Sequence, residues 1–315
     1  MDKNNYLRIG FAGTSDISRS VLQHLIEHDY KIELVLTKPD SVNGRGHKLQ
    51  PSAVKLLAIE HKISILQPVS FLKEADSITK IESYNLDLMI VISYGLILPQ
   101  RLLNSPKFGC VNIHVSLLPK FRGAAPIQRA ILSGEEKSGI TLIKMDAGLD
   151  TGDILLQREI NIEEDYTSAD LERKLTILGN EMIIDYLNSY NTIIPEPQPL
   201  HGISYAHKID KQEATINWHD SAKLITRKIK AFNPSPGCKT TLDNNSIKIW
   251  NAILIDNKCN DECGVIIDVS SRGILVSCGG GTILAITEIQ EAGKNRLNHD
   301  KYILGHSNLK YKRFV

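Results

Sequence analysis

The opening of the chain restricts its fold more than any other stretch. Leu7-Arg8-Ile9-Gly10-Phe11-Ala12 is a short apolar run ending at Gly13, and Ile32-Glu33-Leu34-Val35-Leu36-Thr37 is a second one. Between them Val21, Leu22, Leu25 and Ile26 recur at the interval of one helix face. Strand, helix and strand within about thirty residues make a βαβ unit, which joins parallel strands. Parallel sheets are covered by helices on both faces, so the expected class is α/β. The turn after the first strand carries Gly10 and Gly13 but not G-x-G-x-x-G, which disfavours a dinucleotide cofactor. Asp16 is the expected cap of the first helix, and Pro51 is expected in the first turn of the next one.

The same alternation continues. Ser64-Ile65-Leu66 is a short strand, and Leu86 to Ser93 is the most apolar strand and so belongs at the centre of the sheet. Further strands are expected at Cys110–His114, Gly139–Met145 and Asp153–Ile162, with helices at Ala125–Ser133 and Thr167–Tyr190. Pro195, Pro197 and Pro199 then fall within five residues, which neither a helix nor an inner strand accepts. Beyond them comes a helix near Ala222–Phe232. Five short strands follow: Cys238–Leu242, Ile247–Leu254, Gly264–Val269, Gly273–Cys278 and Thr282–Ile289. That spacing predicts a small barrel of the OB type. With 315 residues, two domains are expected: residues 1–190, an extended linker at 191–204, and residues 205–315.

Composition excludes several classes. No apolar run reaches the ~18 residues of a membrane span. The start, Met1-Asp2-Lys3-Asn4-Asn5, lacks the layout of a signal peptide, and the five cysteines show no paired CxxC spacing. A cytoplasmic protein without structural disulfides or a bound metal is the expectation. The net charge is +1, yet the chain is uneven: 16 Lys+Arg face 11 Asp+Glu from Tyr205 onward, against 21 and 25 before it. A basic C-terminal part points weakly towards nucleic acid, and an ordinary solvated surface explains it as well. Lys38 to Leu49 is a long loop holding Pro39, Gly44 and Gly46 with Arg45, His47 and Lys48, a composition suited to a phosphate backbone.

Chemistry concentrates between Cys110 and Asp153. Asn112 and His114 are two apart on one strand and therefore share a face. Asp150 opens a loop after another strand, and open α/β sheets place their sites beyond the carboxyl ends of strands. Singly, each residue reads as a turn, a core histidine or an Asx-turn. Together they offer a hydrogen-bond donor, a proton carrier and a partner for its cation. H-E-x-x-H is absent around His24 and His28, G-x-S-x-G is absent around Ser116, and nothing in the sequence activates Cys110. Proton-assisted direct group transfer, in which an amine attacks a carbonyl, is the chemistry that fits.

The stretches Asn112-Ile113-His114-Val115-Ser116-Leu117-Leu118-Pro119, Arg122-Gly123-Ala124-Ala125-Pro126-Ile127 and Gly148-Leu149-Asp150-Thr151-Gly152-Asp153 resemble the formyltetrahydrofolate-dependent formyltransferases. So do Phe11-Ala12-Gly13-Thr14, Gly44-Arg45-Gly46, Ser93 to Pro99 and Ala231-Phe232-Asn233-Pro234, so the likeness covers nearly the whole chain. The resemblance implies a Rossmann-like formyltransferase domain followed by an OB-like β-barrel. It implies transfer of formyl from 10-formyltetrahydrofolate, a co-substrate, to the methionine amine of initiator Met-tRNA. Asn112, His114 and Asp150 would be catalytic. Ser116, Leu117, Leu118 and Pro119 would line the folate site, with Ile90, Ile92, Tyr94, Gly95 and Leu96 beside the pterin. Arg45, His47 and Lys48 would meet the tRNA acceptor stem, and the barrel would hold the inside of the tRNA. A monomer without metal is implied.

Two positions depart from the family pattern: Ser15 replaces the usual Pro, and His47 replaces the first of two lysines. The second implies a slightly weaker phosphate contact or a different pH dependence there, with the catalytic residues unaffected. Rival readings are a formyltransferase acting on glycinamide ribonucleotide, which lacks the barrel, or on an aminosugar nucleotide, which leaves Arg45 unexplained. A non-catalytic RNA-binding protein leaves Asn112, His114 and Asp150 without a role, and an oxidoreductase lacks its glycine fingerprint.

Overall fold

The computed structural model describes residues 7–43, 48–306 and 308–315. Arg45 and His47 lie outside the described residues, and Lys48 opens a short strand. The chain divides into two compact units. One comprises the residues up to Gly123, Ser138–Ile160 and Glu172–Ala206; the other comprises Ala124–Lys137, Asn161–Leu171 and His207–Val315.

The first unit begins with β1 (Ile9–Gly13), α1 (Asp16–Glu27) and β2 (Ile32–Leu36), the βαβ unit of the sequence reading. Ser15, not Asp16, occupies the N-cap, and Asp16 lies in the first turn, where its charge suits the helix dipole. A short hairpin follows, β3 (Ser41–Asn43) and β4 (Lys48–Gln50), then α2 (Ala53–Glu60) and β5 (Ser64–Leu66). Ser52 caps α2 by accepting from the Lys55 amide at 3.0 Å, which leaves Pro51 just outside that helix rather than in its first turn. Next come α3 (Ala75–Glu82), β6 (Leu88–Ile92), α4 (Gln100–Leu103), β7 (Cys110–His114) and β8 (Arg122–Gly123). After α5 (Pro126–Ser133), which belongs to the second unit, β9 (Lys137–Lys144), β10 (Ile154–Asn161), α6 (Ser168–Ser189) and β11 (Tyr205–Ala206) follow.

Seven strands form one sheet in the order β10-β9-β7-β6-β1-β2-β5. The pairs from β5 to β7 are parallel, and β9 runs antiparallel to β7. All residues of β1 and β6 are buried, which is why their sequences are continuous apolar runs rather than alternations. The chain builds outward from β1 to β2 and β5, then returns to the other side of β1 with β6. The crevice at such a reversal, beyond the carboxyl ends of the strands, is where α/β sheets bind ligands. Ser18 in α1 closes one side of it by donating from its buried hydroxyl to the Ile92 carbonyl at 2.7 Å.

The Pro-rich segment forms no helix and is stitched to the first unit. Ile154 and Glu196 exchange both main-chain hydrogen bonds, at 2.7 and 2.9 Å. Tyr205 and Ala206 pair in parallel with Arg122 and Gly123.

In the second unit a 3-10 turn at Lys211–Ala214 leads to α7 (Ala222–Ala231) and an antiparallel sheet. Its strands are β12 (Cys238–Leu242), β13 (Asn245–Lys258), β14 (Ile266–Ser270), β15 (Gly273–Ser277) and β16 (Thr282–Glu291), in the order β12-β13-β16-β15-β14. The five strands read from sequence are all present. The two-residue β17 (Leu297–Asn298) adds to β16, and α8 (His299–Leu304) follows it. Among the described residues no ladder joins β12 directly to β14. The end of the chain spans those edges instead. Thr241 and Val315 exchange main-chain bonds at 2.8 and 2.9 Å, while Phe314 donates to Gly264 at 2.9 Å and Ile266 donates to Lys312 at 2.8 Å. Phe314 is fully buried and stacks on Trp218, with ring centroids 5.3 Å apart.

Candidate active site

Asn112 and His114 project from the carboxyl end of β7, next to the end of β6, where Val91 pairs with Asn112. The third member arrives from the loop between β9 and β10. Asp150 there has φ 52, a left-handed conformation that costs an L-residue about 1–2 kcal/mol and that Asp tolerates better than most. This turn aims its carboxylate at β7. Oδ1 accepts from Asn112 Nδ2 at 3.3 Å, and Oδ2 accepts from the Gly123 amide at 2.8 Å and lies 3.6 Å from His114 Nδ1.

The other face of the imidazole fixes its tautomer. His114 Nε2 is 3.0 Å from the Phe121 carbonyl oxygen. A carbonyl only accepts, so Nε2 carries the hydrogen and Nδ1 is the nitrogen that gains or loses a proton. Nδ1 faces a carboxylate, and a proton arriving there meets a compensating charge. The His114 side chain is 6% exposed and that of Asp150 is 15% exposed, so the contact between them is largely shielded from bulk water. Asn112 Nδ2 spends one hydrogen on Asp150 and retains a second for another acceptor.

Supporting bonds pin the surrounding loop. The Ser116 hydroxyl donates to the Lys120 carbonyl at 2.7 Å, and Thr141 donates to the Ser116 carbonyl at 2.7 Å. Thr141 also accepts from the Leu118 amide at 3.1 Å, and Gln157 donates to the Leu118 carbonyl at 2.9 Å. Ser116, Leu118 and Pro119 are buried, and Leu117 is half-buried. Ile90 and Ile92 are buried within β6, whereas the residues after it alternate: Ser93 exposed, Tyr94 buried, Gly95 exposed, Leu96 half-buried. Gly95 has φ 78, and a Cβ there would collide with the Lys38 ammonium. Burial pushes the Tyr94 phenol above its ordinary range, and its hydroxyl has no hydrogen-bond partner among the described residues. Cys110 is buried, and burial pushes its thiol up to about 12, so it is a poor nucleophile.

The structure thus brings Asn112, His114 and Asp150 together. Three participants carry no sequence signature. The Phe121 carbonyl and the Gly123 amide are main-chain groups, and sequence records only side chains. The structure shows why a glycine stands at 123: at φ 118 a Cβ there would lie 2.9 Å from the Ala206 carbonyl oxygen. The third is Gln198, in the Pro-rich segment. Its Nε2 donates to the carbonyls of Asp150 and Gly152, both at 2.8 Å, and its Oε1 accepts from Arg122 at 3.2 and 2.6 Å.

A formyl transferase family model matches residues 7–187, and a model of the formyl transferase C-terminal domain matches residues 208–307. A methionyl-tRNA formyltransferase of Acidovorax ebreus is 43% identical over 310 residues, covering 95% of this chain and 96% of its own. One from Nitrosospira multiformis is 43% identical over 310 residues, covering 98% and 99%. Among solved structures, the sugar 3N-formyl transferase WlaRD, crystallised with dTDP and 5-N-formyl-THF, superposes with a TM-score of 0.62. It is 22% identical, with coverage of 92% of this chain and 99% of that one, a likeness of fold.

Proposed function

The chain belongs to the formyl transferase family, and from that premise we propose that it transfers the formyl group of 10-formyltetrahydrofolate to the methionine amine of initiator Met-tRNA. The observation that carries the chemistry is the convergence of Asn112 and His114 with the Asp150 carboxylate. The acceptor rests on the full-length relatives, which are methionyl-tRNA formyltransferases.

In this reading the amine nitrogen attacks the formyl carbon, a C–N bond forms and the carbonyl pair moves onto oxygen. The pair returns as the bond to the folate nitrogen breaks. The amine loses one proton and the folate nitrogen gains one. The second Nδ2 hydrogen of Asn112 donates to the developing oxyanion. His114 carries the proton on Nδ1, because Nε2 is committed to Phe121. Asp150 compensates the imidazolium and orients the ring.

The folate site is assigned to Ser116–Pro119 and to Ile90, Ile92, Tyr94, Gly95 and Leu96. Since Ile90 and Ile92 are buried in β6, contact would run through the exposed main chain at Ser93 and Gly95. Arg45, His47 and Lys48 are assigned to the acceptor stem, and residues 205–315 to the body of the tRNA as an OB-like barrel. The basic balance of that part supports this, as does Arg296 stacked 3.4 Å over the Trp250 ring. No helix among the described residues is long and apolar enough to cross a membrane, and the reading places a monomeric enzyme in the cytoplasm.

The test is a formyl-transfer assay with charged initiator tRNA, charged elongator Met-tRNA and a dTDP-aminosugar as acceptors. Turnover of the initiator at least about tenfold above the others is expected, a discrimination of roughly 1.4 kcal/mol. Equal turnover of both tRNAs, or turnover of the sugar alone, would overturn the acceptor. Arg45→Ala should raise KM for charged tRNA and leave folate affinity unchanged; an effect confined to folate would overturn the loop assignment.

A further inference from the structure

Of the three side chains that converge, Asn112 and His114 are fixed by a strand in the middle of a sheet. Asp150 is not; it hangs from a loop. That loop holds itself by local bonds, from Gly148 N and the Thr151 hydroxyl to Asp146 Oδ1, which are exposed to water. We infer that Gln198, held by Arg122, is a positioning residue of the formyl-transfer site, fixing the Asp150 main chain so that the carboxylate meets Asn112 and His114. This deepens the formyl-transfer reading and rests on it.

A primary amide has two donor hydrogens and two acceptor lone pairs. Gln198 directs its donors to the carbonyls of Asp150 and Gly152 and turns its acceptor to two nitrogens of Arg122. The amide therefore cannot flip without setting its oxygen against two carbonyl oxygens and its NH2 against a guanidinium. Gln198 is 8% exposed and Arg122 is 7% exposed, so water does not compete for these bonds. Among the described residues no carboxylate pairs with Arg122, and the neutral amide is its side-chain partner. The main chain of Arg122 is fixed in turn, its amide donating to the Ser204 carbonyl at 2.9 Å. The left-handed turn at Asp150 is thus closed from both ends: Gly123 binds the carboxylate, and Gln198 binds the carbonyl of the same residue.

The simpler role for Gln198 is to dock the Pro-rich segment. That docking does not depend on it. Glu196 and Ile154 exchange both main-chain bonds, and the Phe121 amide donates to Ser204 Oγ at 2.9 Å. Gln198→Glu keeps the length and the contact with Arg122, but turns an oxygen towards the two carbonyls. Gln198→Met removes all four bonds at similar length, and is the second variant should the first fail to fold.

The experiment measures kcat and KM with initiator Met-tRNA, singly and in the Asp150→Asn background, beside amide hydrogen exchange over residues 121–124 and 148–153. Gln198→Glu should lower kcat on the order of 10- to 100-fold, the effect of misplacing a group by about 1 Å, with KM for 10-formyltetrahydrofolate within about twofold. Added to Asp150→Asn it should cost less than about twofold more, because both changes act through one carboxylate. Exchange should quicken in both segments, since the Gly123 amide loses a fixed acceptor. Unchanged kcat, or losses that multiply in the double variant, would overturn the clamp. Unchanged exchange overturns it whatever the acceptor proves to be. An inactive wild type with faster exchange in Gln198→Glu would sink the acceptor reading and leave the clamp standing.

Discussion

Replacing Asp150 with Asn tests the charge at the site with the least disturbance of its shape. Asn is isosteric and, like Asp, tolerates the left-handed backbone at φ 52, so the turn should persist. Its carbonyl oxygen still accepts from the Gly123 amide. What is lost is the negative charge 3.6 Å from His114 Nδ1, and with it the bond from Asn112, because the new NH2 takes the place of the oxygen that accepts from Asn112 Nδ2. At an effective dielectric of about 20, a unit pair at that distance is worth about 5 kcal/mol. Solvation of the cation recovers part of this, because the Asp150 side chain is 15% exposed. At about 1.4 kcal/mol per factor of ten, the ceiling is on the order of 10³ in kcat, and a loss on the order of 10² is expected. Single-turnover formyl transfer with saturating initiator Met-tRNA measures it, with folate affinity determined separately by titration calorimetry. Folate affinity should be unchanged, since the charge matters only once the proton moves. A kcat within about threefold of wild type would refute the role given to Asp150, and a large KM effect with intact kcat would mean that it binds substrate instead.

Further outcomes follow from the same structure. His114→Ala should cut kcat by about 10² or more with folate binding kept, checked by the same single-turnover assay. Phe314→Ala removes a buried ring stacked on Trp218 at the join between the edges of β12 and β14; urea denaturation should show a loss of about 3–5 kcal/mol. Cys110, Cys238 and Cys278 are pushed up to about 12 by burial, so at pH 8 iodoacetamide should label Cys259 and Cys263 first, as mass spectrometry of the native protein would show. Those three thiols keep their protons in the native chain where the unfolded chain loses them near about 8.5. Native stability should therefore fall as pH rises from about 8.5 towards 12, measurable as a declining melting temperature.

Most strands and helices of the first unit were legible because they bury one face or two; the hairpin β3/β4, which falls in the stretch read as a loop, was not, since its Val42 and Leu49 are exposed. Burial writes itself into the spacing of apolar residues, as in the continuous runs of β1 and β6. Cap positions were less legible. Ser15 and Asp16 both suit a helix start, and only the backbone at Ser15 separates them. The ends of β13 were also missed. Past Leu254 the strand runs on to Lys258 through mostly exposed polar residues, where burial leaves no mark.

By itself the sequence determined that Asn112 and His114 share a face, because a strand alternates with period two whatever surrounds it. It also supplied an Asp in a turn-forming context and the motifs of the family. Tertiary structure decided that Asp150 joins them, that Nε2 of His114 faces the Phe121 carbonyl while Nδ1 faces Asp150, and that Gln198 reaches the Asp150 carbonyl. Those facts depend on contacts between residues 7, 27, 38 and 48 positions apart, several of them through main-chain atoms. Every residue type except proline carries the same main-chain N–H and carbonyl, so no one-dimensional pattern distinguishes the ones that serve the site. Only the folded chain brings them within hydrogen-bond reach.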